Sequence, residues 1–282
     1  MKNKIFGRTP RIKTIIKDNL FQIFAITEKN MKAALRFKFS LIFSYFYPII
    51  GLVLPMIILN QFFEYNIHFS PWTAQNYLVF IFLAYDISLL SRIYTVFSNE
   101  FKTEKYWRTL QALIIAPFNR FNLLFGIFLA SLIQVCIPFS IFLIICYLYY
   151  HISIITLGLI LLIFFLIALV FSGIGLFLGV LAISKENYLP IAIFLMTLVI
   201  WTSCVTYPYQ IFPNIIQQVI NLNPFYYIFD VLRLAWIQDN IILTFSTYGS
   251  NLLILFASSI ITPLLGVYLF NIIYKKYGIV GY

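Results

Sequence analysis

Only 10% of the residues are charged, so the position of each ionisable side chain carries information. Six crowd into residues 98–120: Glu100, Lys102, Glu104, Lys105, Arg108 and Arg120. Read as a helix, Glu100, Glu104, Arg108 and Gln111 share one face, and Trp107, Leu110 and Ile114 share another. Glu104 stands four residues before Arg108, the favourable order for a helical ion pair, and Pro117 stops the helix. Asp86 and Arg92 precede this cluster inside an apolar run. Asp230 and Arg233, three residues apart, are spaced to pair on a later helix. A carboxylate deep in an apolar run marks either a water-filled path or a structural contact. Nothing here makes a nucleophile, a general base or a metal site. His68 and His151 are the only histidines and lack metal-ligand spacing. Cys136, Cys146 and Cys204 are odd in number and lie in apolar runs, where cysteine serves as a small packing residue. No G-x-x-x-x-G-K-[ST] loop occurs, so the chain does not cradle a nucleotide by that route.

These residues must be positioned within a membrane. The chain of 282 residues is 62% hydrophobic, against roughly 45–50% for soluble domains. Asp, Glu, Lys and Arg are missing from residues 39–63, 65–85, 121–184, 187–229 and 240–274. A helical crossing takes about 20 apolar residues, so the third run holds two. The fold class expected is an all-α integral membrane protein with six spans, at about 40–62, 76–98, 121–148, 154–182, 188–206 and 248–273. Residues 1–38 form a cytoplasmic N-terminal segment, 39–274 a single transmembrane domain, and 275–282 a cytoplasmic tail. All of the 19 Lys and Arg except Arg92 and Arg233 fall before the first span, between the second and third, between the fourth and fifth, or after the sixth. The positive-inside rule then puts both termini and residues 98–120 in the cytoplasm. The net charge of +10 is a topology signal and not a nucleic-acid footprint. No cleavable signal is expected, because the first apolar run starts only at Phe39.

Ile12, Ile15, Ile16, Leu20, Ile23 and Phe24 recur at helical spacing against Lys13, Lys17, Asp18 and Gln22, giving a basic amphipathic helix suited to an anionic surface. A second amphipathic segment, 28–38, leads into the first span. Pro48, Gly51 and Pro55 predict a kink there. Gly173, Gly175 and Gly179 lie in the fourth span, and the G-x-x-x-G pair of Gly175 and Gly179 favours close helix packing. Prolines 208, 213 and 224 break residues 207–238 too often for a crossing. A re-entrant helical hairpin entering from the outer leaflet fits, its second helix started by Asn223 as cap and Pro224 as first residue. Tyrosines gather at the outer ends, as in a membrane-interface belt.

Two patterns in this order resemble the membrane subunit of type-2 ABC exporters. One is Glu100, Thr109-Leu110, Ala116-Pro117 and Gly126 in the loop between spans two and three. The other is Pro208, Pro213, Asn223-Pro224, Asp230 and Arg233 in the hairpin. The order of parts matches as well, from basic elbow through six spans to a hairpin before the last. Arg108 departs from the family, where many relatives carry Gly before the Thr, and Gln111 replaces a common Glu.

The resemblance implies a permease, no enzyme in itself, in a cell membrane. Its partners would be a separate ATPase subunit, which carries ATP and magnesium, a second permease subunit in a homodimer or heterodimer, and the lipid bilayer. Glu100, Glu104, Trp107, Arg108, Thr109, Leu110 and Pro117 would form the ATPase-coupling region. Asp86, Asn223, Pro224, Asp230 and Arg233 are the candidates for the substrate path or its gate. The loop pattern points to export of a drug-like, lipid or lipo-oligosaccharide amphiphile, with a cell-surface polysaccharide as the alternative. An ion-coupled secondary transporter is the competing class, but the internal repeat and multiple intramembrane carboxylates typical of one are missing from the sequence.

Overall fold

The computed structural model describes residues 12–65, 69–109 and 119–279. Its regular elements are helices: α1 (Ile12–Arg36), α2 (Lys38–Glu64), α3 (Tyr77–Ser91), α4 (Ile93–Tyr106), α5 (Arg120–Tyr149), α6 (Ile154–Ser184), α7 (Leu189–Trp201), α8 (Asn214–Asn221), α9 (Pro224–Gln238) and α10 (Ile241–Ile279). α3 and α4 meet at Arg92 and together make one long apolar rod, Tyr77–Tyr106.

Among the described residues, five helices are long and apolar enough to cross a membrane: Lys38–Glu64, Tyr77–Tyr106, Phe121–Tyr149, Ile154–Ser184 and Ile241–Ile273. The expected fifth span, about 188–206, is the difference. α7 has only 13 residues, about 20 Å of helix against a hydrocarbon core of about 30 Å. At Trp201 the helix gives way to turns, and Cys204 takes a left-handed φ of 58°. Apolar composition alone did not reveal this early stop. The last long apolar helix begins at Ile241, before the start near 248 expected from the sequence, and Tyr248 breaks its helical backbone with φ −116° and ψ 25°.

α6 is the axis of the bundle and packs against α4, α9 and α10. Its glycines explain why. A Cβ built on Gly173 would sit 2.3 Å from the backbone of Thr262, and one on Gly175 would meet the Phe97 ring at 2.8 Å. Backbones can come this close only where no side chain intervenes. Phe171 at the centre is fully buried and stacks on Phe225 of α9 at 5.9 Å. The turn from α5 to α6 falls at Tyr150–Ser153, and the Ser153 hydroxyl caps α6 by accepting from the Thr156 amide.

The two amphipathic N-terminal segments form one continuous helix of 25 residues. α1 lies along α5 while Phe21 and Phe24 point outward, more than 60% exposed. Its polar side meets protein: Asn122 Nδ2 donates to Asn19 Oδ1 at 2.8 Å and to Gln22 Oε1 at 2.7 Å.

Candidate functional site

The charged stretch begins as the end of the second long rod. α4 carries Glu100, Lys102, Glu104 and Lys105 and stops at Tyr106. The stop is a Schellman cap. The Thr109 amide donates back to the Glu104 carbonyl at 3.0 Å and the Arg108 amide to the Lys105 carbonyl at 3.1 Å, with Arg108 at φ 59°. A left-handed residue at this cap position is usually glycine. Here an arginine occupies the strained position.

This cap breaks the single helix expected to run on through Arg108. Arg108 leaves the helical spiral, so the Glu104–Arg108 pair does not form. Glu104, nearly buried, instead pairs with Lys29 of α1 and accepts a hydrogen bond from the Thr109 hydroxyl. Glu100 is half-buried one turn earlier, within electrostatic reach of Lys29. Trp107 and Arg108 are exposed. Leu110, Gln111, Ile114 and Pro117 lie outside the described residues.

Lys102 and Lys105 point to a different partner. Both reach Glu186, at 3.7 and 3.3 Å, in the turn between α6 and α7. Lys105 Nζ also lies 3.5 Å from the Ile183 carbonyl at the end of α6, where a cation suits the helix dipole. Lys102, Thr103, Lys105, Tyr106, Trp107 and Glu186 line an open cleft of about 480 Å³. Glu186 and Lys29 were not singled out in the sequence. Glu186 did carry a signal, as an acidic residue isolated in a long apolar region.

The hairpin residues form a second cluster. Asn223 caps α9 by accepting from the Phe225 amide at 3.0 Å, and its own amide donates to the Val199 carbonyl at 2.6 Å. Pro224 opens the helix. Arg233 is 2% exposed and its guanidinium lies 3.9 Å from the centroid of the Phe80 ring. It donates to the Cys204 carbonyl at 2.8 Å and to the Val205 carbonyl. Among the described residues Arg233 has no ion pair with Asp230, which is a correction to the pairing expected from their spacing. Carbonyls freed by the irregular chain after α7 take its donors instead, because unpaired backbone groups are costly in an apolar setting. Trp236 Nε1 and Asp239 fasten the far end of α9 to the α5–α6 turn, through Tyr150 O and Ser153 N.

Asp86 on α3 belongs to neither cluster. It is fully buried and neither carboxyl oxygen has a hydrogen-bond partner among the described residues. In this conformation it lies inside the bundle, out of reach of solvent.

A search for related characterised proteins finds no match. The sequence profile of the ABC-2 type transporter family, by contrast, matches residues 21–236, from the middle of α1 to the end of α9. That region contains most of α1, the capped end of α4, the glycine-lined α6 and the Arg233 clamp, so the chain belongs to the ABC-2 type transporter family.

Proposed function

We propose that this permease couples to a separate ATPase subunit through the cytoplasmic end of α4. The observation that carries this reading is the surface at the Schellman cap. Tyr106 is 84% and Trp107 65% exposed, beside Arg108, on a helix end held rigidly by Glu104 and Glu186. Large exposed aromatics beside cations make a docking surface, and the charge network beneath gives the stiffness needed to pass on a push. ATP and magnesium would reside on the partner.

In this reading α7 and the irregular chain just after it make the fifth of six crossings. α8 and α9 form the hairpin at the outer side, and both termini are cytoplasmic. A second permease subunit would pair with this one to enclose the path. The cargo is an amphiphile of drug, lipid or lipo-oligosaccharide type. A polysaccharide is the second reading, favoured by the Tyr209 and Tyr226 rings stacked at 5.3 Å. Those rings already bond internally, since Asn221 donates to the Tyr209 hydroxyl at 3.1 Å, and this weighs toward a structural role.

The test is to co-express the chain with an ATPase subunit encoded beside it and purify through a tag on the permease. Co-purification, with ATP hydrolysis stimulated by one substrate class across a panel of amphiphiles and glycans, supports the reading. A permease that purifies alone and transports without ATP refutes it.

A further inference from the structure

The polar face of α1 touches both spans that flank the cytoplasmic connection. Lys29 pairs with Glu104, the residue that also holds Thr109. Seven residues earlier, about 10 Å along the helix, Gln22 accepts from the Asn119 amide at 3.2 Å and from Asn122 at 2.7 Å, at the start of α5. Between these contacts Ile26 presses on Gly126, where a built Cβ would lie 2.8 Å from it, and the Thr27 hydroxyl donates to the Gly126 carbonyl at 3.2 Å. Gln22, Ile26 and Lys29 follow the i, i+4, i+7 spacing of one helical stripe. That stripe bridges the end of the second span and the start of the third.

We infer that α1 is a strap that locks the cytoplasmic end of α4 to the start of α5, with Lys29 and Gln22 as positioning residues. The inference rests on the docking reading above for its functional consequence: a push received at Tyr106–Arg108 reaches α5 through α1. It assigns Glu104 an inward, positioning role, where the sequence pattern had put it on the partner-facing side. It also gives Gly126 a reason, since a side chain there would lift α1 off α5. A helix resting only on the membrane surface has no need of an ion pair to a nearly buried glutamate, nor of amide bonds to α5.

A charge swap read in the assembled permease–ATPase complex tests this. Lys29→Glu and Glu104→Lys should each lower substrate-stimulated ATP hydrolysis and transport by about fivefold or more, and the double variant should recover most of that loss, as for contacting groups with strong coupling. If the double variant is as impaired as the worse single one, Glu104 acts on the partner directly and the strap is wrong. If neither single variant changes stimulation, the strap is equally wrong. A second arm needs no ATPase. With Cys136, Cys146 and Cys204 replaced, the Lys29→Cys, Glu104→Cys pair should be joined by a short flexible bis-methanethiosulfonate in membranes containing the permease alone, and failure to do so overturns the proposal. Efficient cross-linking in a permease that never binds an ATPase would sink the docking reading and leave the strap standing.

Discussion

The end of the bundle where α4 stops and the middle of that bundle handle charge in opposite ways. At the α4 end, Glu104 and Glu186 draw lysines from elsewhere in the chain, so that α1, α4 and the α6–α7 turn are tied by ion pairs. In the bundle, among the described residues, Arg233 has no acidic partner within bonding distance and serves two backbone carbonyls, while Asp86 has no hydrogen-bond partner. The difference follows from the surroundings. Near water a single pair of long side chains gains little on its own, so the hold on this end comes from several pairs acting together. Deep in the bundle an ion is tolerated only when fixed dipoles satisfy it, so Arg233 reads as a clamp on irregular backbone, and Asp86 as an unrelieved strain.

The largest effect expected is at Arg233. Arg233→Met removes donors from two buried carbonyls and a cation from the face of Phe80, and should cost about 3–5 kcal/mol. Thermal unfolding of the detergent-solubilised protein would show it as collapse or loss of yield. Arg233→Lys should not rescue, because an ammonium cannot span both carbonyls while stacked on the ring; full rescue would mean that only the charge matters.

Next comes the glycine axis. Gly173→Ala places a methyl against the backbone of α10, 2.3 Å from Thr262 before relaxation, and should cost about 1–3 kcal/mol. Gly158→Ala, with open space around it, provides the control and should be nearly silent in the same melt.

Asp86 should move in the other direction. Asp86→Leu replaces a buried carboxyl without a protein partner by an apolar group of similar size, and should stabilise the protein by about 1–3 kcal/mol. Transport is read alongside the melt. A stabilised protein that no longer transports identifies the carboxyl as functional, whereas a destabilised one would show that Asp86 has a partner in the working state and erase the contrast drawn here.

The smallest effect belongs to the cap. Arg108→Gly relieves the left-handed backbone and should raise stability by about 1 kcal/mol. A melting temperature unchanged or lowered would show that the arginine side chain contributes more than its backbone strain costs.

The membrane class, the order of long helices and the Asn223–Pro224 start were legible because each rests on local composition or on a strong capping pair. The end of α4 was not. Its stop depends on a left-handed residue at position 108, and an arginine there gives none of the warning a glycine would. The Lys29–Glu104 pair joins residues 75 apart, beyond the reach of any periodicity argument. The Asp230–Arg233 spacing permitted a pair, but the unpaired carbonyls after α7 competed more strongly for the guanidinium, and only the fold shows that they are near. The short α7 misled for a related reason: hydropathy continues past Trp201 while the helix does not.

In the proposed function the end of α4 receives the ATPase. The most direct measurement puts a single cysteine at Trp107 in a chain with Cys136, Cys146 and Cys204 replaced, and follows its labelling by a membrane-impermeant maleimide. The account predicts rapid labelling from the cytoplasmic face of the permease alone, and strong protection once the ATPase subunit is bound. Labelling only from the opposite face, or equal labelling with and without the bound ATPase, would contradict it.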